Sequence, residues 1–448
     1  MPTLSPTAVR RIAAALILVL VLIGAVVRAE AIGSNTHTSA DENGYVANTN
    51  RILAHERYAT FKWPPGTSLA FALATRLSGH RSLRLSMHAK GPAQYMQLLA
   101  GILTLLLMAA VAWWAAGPWA AVLATALGAS YWPLVDATRT FLSEPLGGLA
   151  LLASVAAAVL ARNRLSSQRW WLALLGAGVV GGLACLTRGD IAVGMFVIAL
   201  ALALSGRPGW RVGALRAGVY LGAILLTLLP WLAYASEQER RFVPITTAGP
   251  DAFFIGSYLP GHGELVPTEE KLAPEVCRHF PEDCGLYWQK SSAPLFKLVR
   301  AQHPGSSANA AVTQADWENV HKYALGQPLA FTGMLLEKFS KMWRTVWSGG
   351  NGTYHPSTSQ LQHTLYLLLA LVGLLGGALV TRRWELITSA AAMLAIAALA
   401  TLFNDQPRYN VGLMPLLLAY GSAGLWLLAL NAGPAWKRLR SRAAPAPA

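Results

Sequence analysis

Four short polar clusters interrupt an otherwise apolar chain, and their residue types suit transfer of a group from a phosphate to a hydroxyl. The first is Asp41-Glu42, opening the run Asp41-Glu-Asn-Gly-Tyr45, with Phe61-Lys62-Trp63-Pro64-Pro65-Gly66 shortly after it. The second runs from Asp136 through Arg139 to Ser143-Glu144-Pro145, the third is Leu186-Thr-Arg188-Gly-Asp190, and the fourth is Asn404-Asp-Gln-Pro-Arg408-Tyr409. Such a transfer needs a base to take the acceptor's proton and fixed cations to stabilise the departing phosphate. A carboxylate at position 41 can be that base. Lys62 supplies a compact positive charge, and Arg408 a planar fork that fits phosphate.

Each cluster also has a plainer reading. Asp41 suits the cap of a helix beginning near Asn43. Ser143-Glu144-Pro145 is a good helix N-terminus with Pro in the first turn. The Arg188 turn reads equally as a solvated hairpin, and Arg408, at the mouth of an apolar segment, can snorkel outward. The chemical reading gains from the second cluster, whose polar groups would be costly facing lipid. It gains further if all four clusters share one side of a membrane.

The elements that must position them are membrane spans. The chain is 54% hydrophobic and 13% charged, against about 25% charged in an average soluble domain. Its apolar residues fall into blocks near bilayer length, about 20 residues each. These are 12–27, 98–116, 119–134, 145–161, 170–186, 191–205, 217–235, 365–380, 386–403 and 411–430. The pattern predicts an all-α polytopic membrane protein with about ten transmembrane helices. Alternating the spans from a cytoplasmic N-terminus places Arg10, Arg11, Arg162, Arg164, Arg169, Arg207, Arg211, Arg216, Arg382, Arg383, Lys437, Arg438, Arg440 and Arg442 inside. This positive-inside pattern puts both termini of a multi-pass cell-membrane protein in the cytoplasm. It also explains the net charge of +15 without nucleic acid, since no polar domain carries a clustered basic stripe. All four clusters then lie outside. Ala29-Glu-Ala31 faintly resembles a signal cleavage site, but the polar loop that follows favours a retained helix.

Two outer segments stand out. Residues 28–97 contain a helix-like stretch at 44–56, the Pro64-Pro65 turn, and an apolar patch at 68–77, too short to span and read as an interfacial helix. Residues 236–363 form a large outer loop with Trp288, Trp317, Trp343 and Trp347, suited to headgroup level. Cys277 and Cys284 in this loop fit a disulfide in an oxidising compartment, with a metal site using His279 as the weaker alternative; Cys185 is a small buried residue. The chain divides into an N-terminal catalytic module (1–235), the large loop (236–363), C-terminal transmembrane helices (364–436) and a basic tail (437–448), whose last residues, 443–448, read as disordered. It shows no internal repeat, P-loop or dinucleotide fingerprint.

Taken in order and by side, these motifs resemble the GT-C glycosyltransferases, and most closely glycosyltransferase family 39, the protein mannosyltransferase and aminoarabinose transferase-like group. The resemblance covers 1–235 and 365–430. It implies inverting transfer of a sugar from a polyprenyl-phosphate donor to an acceptor hydroxyl or phosphate, on a lipid, glycan or protein, at the extracytoplasmic face. Residue by residue, it implies Asp41 as the catalytic carboxylate and Glu42 as its partner, with Lys62 and Arg408 at the donor phosphate. Tyr45, Arg139, Ser143, Glu144, Arg188 and Tyr409 would line the substrate cavity. Trp63 separates Lys62 from Pro64-Pro65, a departure that puts the direction of Lys62 in doubt. No cofactor is required by this scheme, and a divalent metal at Asp41 and Glu42 is left open.

Other functions compete. A transporter or lipid-linked-sugar flippase would place its polar site near the bilayer midplane, whereas here charges are sparse within the spans and gather at their outer ends. A ligase or polymerase using the same donors would lean on Arg and His of the outer loops, and a scaffold would depend on 236–363 rather than Asp41.

Overall fold

The computed structural model describes residues 5–34, 39–84, 90–205, 209–284, 292–347, 356–403 and 408–443. Asn404 to Pro407, Arg207, Trp288 and the last five residues of the tail lie outside this set, as do the side chains beyond 432. The described residues form helices and the turns between them.

In chain order the N-terminal part contains α1 (Pro6–Ala31), α2 (Ala40–Leu53), α3 (Pro65–Leu77), α4 (Pro92–Ala116), α5 (Pro118–Ser130) and α6 (Trp132–Ala137). There follow α7 (Glu144–Asn163), α8 (Trp170–Thr187), α9 (Ile191–Leu204) and α10 (Gly209–Glu239). A cap is made of α11 (Gly249–Ser257), α12 (Leu265–His279), α13 (Ala293–Gln302), α14 (Ala308–Asn319) and α15 (Pro328–Arg344). The chain then re-enters the bundle as α16 (Pro356–Leu371), which runs through a π-turn at Val372–Gly376 into α17 (Gly377–Thr381), then α18 (Trp384–Leu402) and α19 (Tyr409–Ala443). Among the described residues eight helical segments are long and apolar enough to cross a bilayer, and α5 and α9 are shorter apolar helices. Together they match the ten apolar blocks. Pro118 and Pro133 account for the shortness of α5, because each fixes a helix start and forbids continuation from before it.

Outward faces carry leucines that water would not tolerate in such numbers, such as Leu18, Leu22, Leu226 and Leu379, while small residues bring the helices together. Gly424 of α19 lies so close to the chain before α17 that an added Cβ would stand 1.9 Å from the Gly373 carbonyl oxygen. Close approach of this kind is how membrane helices associate when burial from water gives no drive. α19 is the hub, packing on α4, α5, α7, α16 and α18.

The two ends of the bundle differ. Arginine-bearing connections gather at one end: Arg216 donates to the Ser205 carbonyl (2.6 Å), Arg162 sits 5.0 Å over Trp384, and Arg383 donates to the Ala115 carbonyl. Here the cations complement the carbonyl termini of α4 and α9. The other end carries α2, α3 and the cap. α3 buries Thr67, Ser68 and Thr75 along with Phe71 and Ala72, and turns Leu69, Leu73 and Leu77 outward. The cap has its own core of Phe254, Ile255, Leu295, Phe296, Val299 and Val312. Cys277 and Cys284 form a disulfide within it, and His279 Nδ1 faces the Glu275 carbonyl. Lys338, 2% exposed, donates to the carbonyls of Phe403 (2.7 Å) and Gly256 (3.3 Å), tying the cap to the end of α18.

Candidate functional site

The site begins with the start of α2. The helix opens at Ala40, earlier than the sequence suggests, because Ser39-Ala-Asp-Glu42 is a capping box. Ser39 Oγ accepts from the Glu42 N–H (3.3 Å), and Glu42 Oε2 accepts from the Ser39 N–H (2.7 Å). The cap expected of Asp41 therefore belongs to Ser39. Asp41 sits in the first turn with its side chain directed outward, 29% exposed. Glu42 is buried, and its other oxygen accepts from the Phe141 N–H (2.9 Å). Burial pushes the Glu42 carboxyl above the ordinary range, against the pull of the Phe141 and Ser39 donors.

That contact solves a problem posed by residues 138–143, a non-helical segment that is wholly buried. Buried backbone groups need partners. Glu42 satisfies Phe141, and Gln97 on α4 donates to the carbonyls of Leu142 (2.6 Å) and Thr140 (3.3 Å). The braced segment delivers Ser143 and Glu144 to the start of α7. Tyr45, one turn along α2, is buried beside Ser143, and burial raises its hydroxyl pKa. Its ring lies 5.8 Å from that of Trp63. Trp63 in turn covers Gly44, where an added Cβ would stand 2.1 Å from the indole.

Four separate segments meet here. Asp41 pairs with Arg408, just before α19. Arg408 Nε is 3.6 Å from Glu144 Oε1, and the same oxygen is 3.4 Å from Arg188 Nη1 in the turn between α8 and α9. Arg188 is held side-on by Asp190, at 3.2 Å and 2.8 Å. The guanidinium carbons of Arg188 and Arg408 lie 5.3 Å and 5.7 Å from the Tyr409 ring centre, a cation–π arrangement. The result is a continuous line of charge, Asp41, Arg408, Glu144, Arg188, Asp190. Beside it is a narrow cleft between α7, α9, α18 and α19, lined by Gly147, Leu151, Arg188, Ile396, Tyr409 and Leu413 among others. Gly147 lets Arg188 pass across α7, since an added Cβ would stand 2.4 Å from Arg188 Cδ.

Of the residues singled out in the sequence, Asp41, Glu144, Arg188, Arg408 and Tyr409 are joined directly, with Glu42, Tyr45 and Ser143 immediately behind them. Two are placed elsewhere. Lys62, 47% exposed, pairs with Asp251 of α11 at 3.2 Å rather than with this line. Trp63, turned inward over Gly44, directs its neighbour away. Arg139 is buried against Asp136 and donates to Ser34 Oγ (3.2 Å). Both Glu42 oxygens accept backbone N–H groups. Among the described residues no group of three or more His, Cys, Asp or Glu is placed to hold a metal ion. Sequence reasoning missed Ser39, Gln97 and Gly147. Ser39 had a signal, the Ser-x-x-Glu spacing; Gln97 and Gly147 act through contacts that no local pattern announces.

No family model and no curated protein sequence matches the chain. Its likeness to solved structures is one of shape. Two structures of the oligosaccharyltransferase of Archaeoglobus fulgidus, one in complex with Zn and sulfate and one in the apo form, superpose with TM-scores of 0.53 and 0.52 at 14% and 15% identity. They cover 96% and 91% of this chain, but 51% and 50% of the archaeal protein. ArnT from Cupriavidus metallidurans bound to undecaprenyl phosphate gives a TM-score of 0.41 at 16% identity, over 91% of this chain and 77% of ArnT. The chain thus spans about half the length of the archaeal structures it matches. Its membrane architecture is the fold of these archaeal structures.

Proposed function

We propose that this protein is an integral-membrane glycosyltransferase that moves a sugar from a polyprenyl-phosphate donor to an acceptor hydroxyl or phosphate. The observation that carries this reading is the meeting of Asp41, Glu144, Arg188 and Arg408 at one end of a GT-C bundle, from four segments far apart in sequence. Asp41 beside Arg408, with Arg188 joined to them through Glu144, supplies both requirements of the chemistry: a proton acceptor and cations for the departing phosphate. The site lies at the bundle end opposite the arginine-rich connections, which corresponds to the extracytoplasmic face of the cell membrane under the positive-inside rule. Donor lipid would enter from the bilayer.

In the reaction Asp41 takes the proton of the acceptor hydroxyl as its oxygen attacks the anomeric carbon. The polyprenyl phosphate leaves from the opposite face, so the configuration inverts. Arg408 stabilises the leaving phosphate and Arg188 adds positive charge alongside. Glu42 positions α2 and the 138–143 segment, and Lys62 serves the junction with the cap. The scheme names no metal step. Comparing envelope glycolipids and glycoproteins by mass spectrometry in cells with wild-type protein or Asp41→Asn, at matched levels, tests this reading. A missing sugar on an undecorated acceptor supports it; unchanged glycans in the variant contradict it.

A further inference from the structure

The candidate base and the candidate phosphate ligand hold one another. Asp41 Oδ2 accepts from Arg408 Nη2, so one of the two oxygens of the candidate base faces a guanidinium instead of an acceptor. Along the linked side chains, three carboxylates (Asp41, Glu144, Asp190) meet two guanidiniums (Arg188, Arg408), a formal charge of −1. Among the described residues of this line each guanidinium already faces a carboxylate, and Lys62 is engaged with Asp251. An arriving phosphodiester therefore competes with those carboxylates for the guanidiniums.

The geometry says which carboxylate gives way. Glu144 is 2% exposed and lies between both arginines at the start of α7. Asp190 grips Arg188 through both oxygens from two residues away. Asp41 is the most exposed of the three, at 29% against 24% for Asp190 and 2% for Glu144. It reaches Arg408 from a different helix through one carboxylate oxygen.

We propose that the donor phosphate displaces Asp41 from Arg408, so that Arg408 exchanges one anion for another and the freed carboxylate becomes the base. This rests on the transferase reading and adds an order to it: the lipid-linked donor binds first, and only then can the acceptor react. The acceptor oxygen–anomeric carbon bond forms, and the anomeric carbon–phosphate oxygen bond breaks. The proton passes to Asp41, and the bonding pair leaves with the phosphate held by Arg408. Arg408 thus reports donor occupancy to the base.

The test is the affinity of a polyprenyl monophosphate, in detergent micelles, for wild-type protein, Asp41→Asn, Arg408→Gln and the double variant, with inorganic phosphate run in parallel. Removing the competing carboxylate should tighten the phosphate lipid about two- to fivefold, the range of a partly exposed ion pair. Arg408→Gln should weaken binding, and Asp41→Asn should give no gain in that background. The same ratios with inorganic phosphate would locate the effect at the headgroup; a gain confined to the lipid would point to its chain and overturn the exchange. Unchanged or weaker binding by Asp41→Asn, and by Asp41→Ser with a native gel-filtration profile, overturns it as well. Transfer is scored separately. Transfer lost with affinity unchanged keeps Asp41 as base and removes the exchange. Transfer retained with affinity raised supports competition for Arg408 and removes Asp41 as base.

Discussion

Replacing Glu42 with Ala should damage the protein by unfolding the support of the site, whatever happens to its chemistry. The side chain accepts from the Ser39 N–H at 2.7 Å and the Phe141 N–H at 2.9 Å. Phe141 lies in a wholly buried segment, and its exposure is 1%. Leaving the buried Phe141 donor unpaired costs about 1–3 kcal/mol. The Ser39 N–H is half-buried, so its loss counts as the capping box, about 0.5–2 kcal/mol, and together they predict a loss of about 1.5–5 kcal/mol. Glu42→Gln retains one acceptor oxygen and should lose about half as much. Asp41→Asn should lose under about 1 kcal/mol, because its ion pair is partly exposed. The assay is thermal unfolding of the purified protein in micelles, with proteolysis of the 138–143 region as a local probe. The order Glu42→Ala, Glu42→Gln, Asp41→Asn, from least stable to most, is the expected result. A Glu42→Ala protein that melts with wild type would refute the assignment of this carboxylate to the buried segment.

Further outcomes follow from other parts of the site. Gly147→Ala should cost about 1–3 kcal/mol through overpacking against Arg188 and reduce transfer about 10²-fold, the effect of displacing a positioned group by about 1 Å; full activity would show that the path of Arg188 across α7 is unimportant. Lys62→Met should reduce transfer less than Arg408→Gln, for which about 10²-fold or more is expected of a lost charge-stabilising donor, and the reverse order would return Lys62 to the donor phosphate. Asp316, buried in the cap near Asp251, has its pKa pushed up by burial to about 7. Because the folded value is raised, its favourable contribution is complete below the ordinary 3.8 and is lost as pH climbs through about 7. Asp316→Asn should therefore stabilise the protein above that pH and change it little near pH 4; thermal melts at both pH values that show no difference would contradict it.

The fold was legible because lipid imposes a simple rule: backbone polar groups must be satisfied within each spanning segment, which leaves long apolar helices as the visible signal. All ten blocks became helices for this reason. The pattern predicts a helix over 44–56, whereas α2 runs from Ala40 to Leu53 with Ser39, not Asp41, at its cap. Side-chain direction was less legible. Lys62 carries the right charge at a familiar spacing, yet the fit of Trp63 against Gly44 and Tyr45 turns it toward Asp251. The union of Arg188 with Arg408 depends on α7, α9 and α19 packing side by side, and no local pattern encodes that. Gln97 looks like an ordinary polar residue near a helix start until the buried segment it braces is seen.

The most direct test of the central claim is single-turnover consumption of a polyprenyl-phosphate sugar by purified protein in the presence of acceptor, wild type against Asp41→Asn. Wild type should release polyprenyl phosphate and a product of inverted anomeric configuration. A folded Asp41→Asn protein should do so at a rate about 10²-fold or more lower. Equal rates for the two proteins, or a product of retained configuration, would contradict that claim.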